Sequence, residues 1–158
     1  IQKDQEIIES RYPKTVDAAY QLGYCYYHLN QMDKSYYYFS IAYKADRLDA
    51  AYMYFQLLYQ TRDVNLLTEL SEEKDKMEKI LQDMAKRREQ LDEDEERQYN
   101  NIRDYYLFLY KLHAEIMINQ KFYDNAYSDL NYLLQYEQTH EYAQAKIDEL
   151  DAIIPPEE

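Results

Sequence analysis

The chain has 158 residues, enough for one domain with a core, and sets 18 Lys and Arg against 31 Asp and Glu for a net charge of −13. That balance excludes the basic stripe a nucleic acid requires and disfavours an anionic membrane surface, so a neutral or basic partner fits better, or simply solvated helix faces. One Gly and three Pro leave little material for hairpin turns, and 21 Tyr with 4 Phe and no Trp carry the aromatic load, so the expectation is an all-α chain with many half-covered rings.

Residues 1–12 read as the end of a preceding repeat or as an N-terminal cap, with Pro13 marking the break before the next helix. Residues 16–49 form the clearest repeat. The only glycine, Gly23, stands inside a helical pattern, where glycine costs about 1 kcal/mol relative to alanine. A packing reason is therefore expected. Ala19, Leu22, Gly23 and Tyr26 make one stripe, Leu29-Asn30-Gln31 turns the chain, and Ser35, Phe39 and Ala42 make the facing stripe. Gly23, Ser35 and Ala42 leave room for two helix axes to approach, while Tyr26 and Phe39 fill the gap. Tyr36-Tyr37-Tyr38 is wider than one core stripe, so at least one of these rings should face outward.

A second repeat spans 50–83, with Ala50, Met53, Leu57 and Leu58 on its first helix and a turn at Thr61-Arg62-Asp63. Its second helix begins near Val64 and overruns. Leu70, Met77, Met84 and Leu91 recur every seven residues, which predicts a long helix with a coiled-coil-like seam reaching about residue 90. Residues 84–106 form a helical extension. The acidic run Asp92–Glu96 opens the next helix, with Asp92 and Glu95 at capping-box spacing, and that helix runs to about Asn119. The basic stretch from Lys74 to Arg88 would face the acidic run across this central hairpin.

The third repeat covers 107–140, with Tyr110, Ala114 and Met117 on one helix and Tyr123, Ala126, Leu130 and Leu133 on the other. Residues 140–154 form a capping helix with Thr139 as N-cap, Ala143, Ile147 and Leu150 on its apolar face, and Pro155-Pro156 beyond its end.

The stripes at 16–49 and 107–140, with a weaker match at 50–83, resemble the tetratricopeptide repeat family. Tyr12-Pro13 followed by Ala18-Ala19-Tyr20-Gln21-Leu22-Gly23-Tyr24 looks most like the subgroup found in bacterial envelope proteins. The resemblance implies a right-handed superhelix of antiparallel helix pairs, here with an extended helical hairpin in the middle. It also implies a concave groove that takes an extended peptide or a partner's helix. The groove positions of the family fall on Asp17, Tyr20, Tyr24, Tyr27 and His28, on Tyr54, Phe55 and Leu58, and on Phe108, Lys111, Glu115 and Ile118. Chaperone-binding members grip a peptide carboxylate with Lys, Asn and Arg, but the matching positions here hold Tyr20, Tyr24 and Phe55, so that clamp is missing. The implied compartment is the bacterial periplasm or cell envelope, with the cytoplasm as the alternative.

Chemistry finds little support. One glycine rules out Walker, Rossmann and G-x-S-x-G patterns, and His28, His113 and His140 form no HExxH or paired metal spacing. Glu137-x-x-His140 is half of a di-iron carboxylate motif without its second half. Cys25, the single cysteine, excludes an internal disulfide and is expected as a buried structural thiol. No apolar run approaches the ~20 residues of a membrane span. The resulting expectation is a non-catalytic scaffold or adaptor, without cofactor or metal, that binds a neutral or basic protein or peptide segment in a tyrosine-lined groove. The 64–119 helices offer a surface for self-association. The alternatives are a peptide-sensing regulatory module and a structural spacer within a larger repeat array.

Overall fold

The computed structural model describes residues 13–154, and among them it is helical without a strand, as the composition requires. The helices are α1 (Pro13–His28), α2 (Met32–Lys44), α3 (Leu48–Gln60), α4 (Leu66–Lys86), α5 (Glu93–Asn119), α6 (Tyr123–Leu133) and α7 (Glu137–Ile153), with a 3-10 turn at Arg88–Gln90. The helix end expected within 1–12 lies outside the described residues. The chain divides into two compact units, one ending at Leu66 and the other beginning at Leu67.

In the first unit, Pro13 opens α1, a position where its missing N–H is not needed and its fixed φ suits the helix. Three consecutive helices then end in the same way. Asn30, Asp46 and Arg62, spaced every sixteen residues, adopt left-handed φ values of 60°, 62° and 54°. At each, the next amide closes a six-residue ring: Gln31 N–H to Tyr26 C=O (2.9 Å), Arg47 to Ala42 (3.1 Å) and Asp63 to Leu58 (3.0 Å). These are Schellman turns, which satisfy the last carbonyls and reverse the chain within three residues. Lys121, with φ 63° and a Phe122 to Met117 bond of 2.8 Å, repeats the device after α5.

The core of this unit is Phe39, Ala42, Ala50 and Leu57, with Val16, Tyr20, Tyr24, Tyr27, Met32 and Met53 packed around it. Full burial of a ring such as Phe39 contributes about 1.5–3 kcal/mol. Gly23 is what allows it: a β-carbon there would lie 2.7–2.9 Å from three Phe39 ring atoms. Ser35 donates its buried hydroxyl to the Gly23 carbonyl at 2.8 Å, so the expected small-residue crossing exists. Tyr26 joins it by stacking on Tyr38 at 5.6 Å and 7°. Leu22 does not: it is 39% exposed, because the face turned to α2 is the one carrying Val16, Ala19, Tyr20, Gly23, Tyr24 and Tyr27, and Leu22 points away from it. Tyr36 and Tyr37 are exposed, as the width of the tyrosine run demands.

In the second unit, α4 buries Leu70, Glu73, Met77 and Met84, a stripe of seven-residue character. The helix is shorter than expected at both ends. Val64 is exposed in the connection before it, and the helix stops at Lys86, with Arg87 leading into the 3-10 turn and Leu91 extended. The heptad thus holds at Leu70, Met77 and Met84 while Leu91 falls in the bend. Asp92 caps α5 by accepting the Glu95 N–H at 2.8 Å, and four acidic residues in its first turn complement the helix dipole. Arg88 pairs with Glu96 at 2.7 Å and lies over the Tyr99 ring at 4.3 Å, so the basic and acidic stretches do meet at the bend. Exposed pairs of this kind contribute about 0–1 kcal/mol.

Helix α5 packs on α6, and α6 on α7, around Leu109, Ala114, Met117, Ala126, Leu130, Leu133, Ala143 and Leu150. The N-cap of α7 is Tyr136, not Thr139. Thr139 lies inside the first turn, buried, and donates its hydroxyl to the Leu133 carbonyl at 2.7 Å, tying α7 to the end of α6. Helix α7 ends at Ile153, and Ile154 is extended as a residue before proline prefers.

Candidate functional site

The α1 residues singled out from sequence form one continuous aromatic face in the first unit. Tyr20 and Tyr24 meet edge to face at 5.1 Å, and both set an edge on Phe39, at 5.8 and 5.4 Å. His28 stacks on Tyr24 at 6.1 Å and meets Tyr27 edge-on at 5.8 Å. The spacing i, i+4, i+7 brings Tyr20, Tyr24 and Tyr27 onto one side of the helix, and each ring is half-buried with one edge on the core. The Tyr27 hydroxyl accepts from the Gln60 amide at 3.3 Å.

Arg47 organises the N-terminal end of this face. Its guanidinium lies 4.2 Å over the Tyr20 ring, pairs with Asp49 at 2.7 Å and bonds Asp17. Burial, the Tyr24 hydroxyl and the Asp49 carboxylate all push the Tyr20 phenol well above its ordinary value, so it stays a neutral donor. The face thus offers phenol and imidazole groups beside an arginine already matched by two carboxylates.

The residues expected from α3 lie elsewhere. Tyr54, Phe55 and Leu58 are all buried. Tyr54 stacks on Tyr43 at 4.3 Å and on Tyr36 at 5.4 Å, toward α2, and Phe55 meets Tyr43 edge-on at 5.6 Å. Tyr54 and Phe55 thus form packing between α2 and α3.

In the second unit, Phe108, Lys111, Glu115 and Ile118 are half-buried along α5. Lys111 sets its ammonium 4.5 Å over the Tyr142 ring, and the Tyr142 hydroxyl donates to Glu115 at 2.5 Å. Lys146 bridges Glu115 at 3.3 Å and Glu149 at 3.5 Å. Burial alone would lower the Lys146 pKa, but the two carboxylates outweigh it and raise it. The result is a ladder of alternating charge along α5 and α7, whose members are matched within the protein.

A second aromatic cluster went unread in the sequence. Tyr110 stacks on Tyr132 at 4.3 Å, Tyr106 meets Tyr110 at 5.1 Å, and Tyr132 meets Tyr136 at 5.3 Å with hydroxyls 3.1 Å apart. Lys74 of α4 lies 4.0 Å over Tyr110, and burial lowers its pKa against the pull of Asp129, Asp75 and Glu78. Beside it, His113 bonds the buried Asp129 at 2.5 Å. The signal was present as two i, i+4 tyrosine pairs, 106/110 and 132/136, but nothing in the spacing says that they meet.

Cys25 is exposed, not buried as expected, because it sits on the side of α1 opposite Phe39. Among the described residues, no three His, Cys, Asp or Glu side chains converge as a metal site, and no helix is long and apolar enough to cross a membrane. Comparison with family models, curated proteins and solved structures gives no match for this chain.

Proposed function

We propose that this chain is a non-catalytic binding scaffold of tetratricopeptide-like architecture, which receives a neutral or basic peptide segment on the α1 face formed by Asp17, Tyr20, Tyr24, Tyr27 and His28. The observation that carries the reading is the half-burial of Tyr20, Tyr24 and Tyr27. Each ring is seated on the Phe39 core and still accessible on its other side, which makes a rigid aromatic platform with polar tips. Rings held in this way lose little entropy when a partner covers them. Three helices of similar length joined by identical three-residue turns also agree with a helical-repeat plan. The net charge of −13 favours approach by a neutral or basic segment. Tyr54, Phe55 and Leu58 then support the platform from the core instead of touching the peptide, and Phe108, Lys111 and Glu115 are the corresponding face of the second unit.

The test is selection of peptides from a random display library on the immobilised protein, followed by titration of one enriched synthetic peptide. The Tyr24→Ala/Tyr27→Ala variant should bind that peptide at least tenfold more weakly while keeping its far-UV circular dichroism. Equal affinity of the folded variant overturns the α1 face as the site.

A further inference from the structure

Three tyrosines of the first unit stack their rings between α2 and α3. Tyr43 lies on Tyr54 at 4.3 Å between centroids and 16° between planes, and Tyr36 lies on Tyr54 at 5.4 Å and 26°. Tyr36 and Tyr43 are two helical turns apart, so one side of α2 presents both rings to α3. Tyr54 is 5% exposed and Tyr36 38%, which leaves a buried phenol in ring contact with one that solvent reaches. The Tyr36 and Tyr54 oxygens are 3.4 Å apart. Phenols are also the readily oxidised groups at hand: the chain has 21 Tyr and no Trp, and its one thiol, Cys25, is on α1.

We propose that this stack is a site of oxidative modification, where a one-electron oxidant joins Tyr43 to Tyr54 as dityrosine and staples α2 to α3. Each phenol gives up one electron and one proton. Tyr36 relays electrons from the buried ring to an oxidant at the surface, and its oxygen takes the Tyr54 proton and passes it to water. The half-buried Tyr43 gives its proton to water as well. The two phenoxyl radicals then pair their unpaired electrons in a new bond between ring carbons ortho to the oxygens. The hydrogen on each of those carbons moves to its phenolic oxygen as the rings become aromatic again. In total the chain loses two hydrogen atoms, and the oxidant gains two electrons. Overlapped faces at this separation hold ring carbons about 3.5–4 Å apart, close to reacting distance. Tyr20 and Tyr24 meet at 81°, without such overlap, and Tyr26 and Tyr38 are parallel but 5.6 Å apart. Tyr110 and Tyr132 match the distance at 4.3 Å, but the Lys74 ammonium 4.0 Å over Tyr110 opposes withdrawal of an electron.

The test uses the Cys25→Ser chain, so that the exposed thiol does not compete for the oxidant. The oxidant is tris(bipyridyl)ruthenium(III), generated by light with persulfate as the final electron acceptor. Dilute protein should give a monomeric product with dityrosine fluorescence and a mass lower by two hydrogens. Tryptic digestion should then yield Ser35–Lys44 joined to Leu48–Arg62 through Tyr43 and Tyr54. Tyr43→Phe and Tyr54→Phe keep the stacked rings and should keep the circular dichroism, yet each should lower that yield about tenfold. Tyr36→Phe should slow formation of the same joined peptides, and an unchanged rate overturns the relay through Tyr36. A product joined only between chains, a yield unaffected by both of the other phenylalanine variants, or a greater yield at Tyr110 and Tyr132 overturns the proposal.

Discussion

The ring of Phe39 rests on the bare α-carbon of Gly23, with the Gly23 carbonyl held by Ser35 one turn away. Two opposed effects meet in Gly23→Ala. Alanine gains about 1 kcal/mol of helix propensity, whereas its β-carbon would stand 2.7 Å from a ring that is fully buried and flanked by Tyr20 and Tyr24. Overpacking of a fixed ring costs about 1–3 kcal/mol, so steric conflict wins. Gly23→Ala should lower the thermal midpoint by a few degrees, and adding Phe39→Leu should recover part of that loss. A midpoint raised by Gly23→Ala alone would mean that the ring moves aside freely.

Lys121 sits at φ 63° in the turn after α5, a conformation that suits glycine and that costs an L-residue roughly 1–2 kcal/mol. Lys121→Gly relieves that strain but makes the unfolded chain more flexible, which returns about 0.4–1 kcal/mol. The net expectation is stabilisation of about 0.5–1 kcal/mol, read as a higher urea midpoint with an unchanged slope. Asn30→Gly is the contrasting control. Asparagine tolerates this conformation, so its gain should be smaller.

Much of this fold was legible in the sequence because helices declare themselves through periodicity. The crossing at Gly23, Ser35 and Phe39, the bend before Glu93 and the Asp92 cap all followed from residue type and spacing. What escaped was which side of a helix the fold would use. Leu22, read into the repeat stripe, and Cys25, read as a buried thiol without a basic neighbour, lie instead away from the face that Val16, Ala19 and Gly23 turn to α2. Tyr54, Phe55 and Leu58 fall at groove positions of the resembled family, yet all three are buried, Tyr54 and Phe55 against Tyr43 of α2. The cluster of Lys74, Tyr110 and Tyr132 spans three helices, and such long-range convergence leaves no local trace.

Asp92 accepts the Glu95 amide at 2.8 Å, and its removal leaves that amide to water at the start of a 27-residue helix. Asp92→Ala should cost about 1 kcal/mol, and Asp92→Asn should cost much less because the hydrogen bond survives. Amide exchange separates local from global effects: the Glu95 and Glu96 amides should exchange faster in the alanine variant, while amides near Leu109 follow only the change in overall stability.

Alkaline pH should destabilise the protein. Burial, reinforced by neighbouring hydroxyls, holds the phenols of Tyr106 and Tyr132 well above their ordinary value of 10.0, and a hydrogen bond to Asp151 raises Tyr127 to about 12. A folded pKa raised above the unfolded one contributes stability that is complete below pH 10 and is lost as pH climbs through the folded values. Lys74 acts in the opposite sense: its lowered pKa favours folding as pH rises toward 10.5, but it is one group against several. The balance is a fall in stability from about pH 10 upward. Tyrosinate absorbance near 295 nm should accordingly rise in two steps, the exposed phenols first and reversibly, the buried ones together with loss of helical circular dichroism. Tyr127→Phe should leave the second step in place, because its hydroxyl is on the surface, whereas Tyr106→Phe should reduce it. A single smooth titration centred at pH 10, with helicity intact, would show that these hydroxyls are not held as their contacts imply.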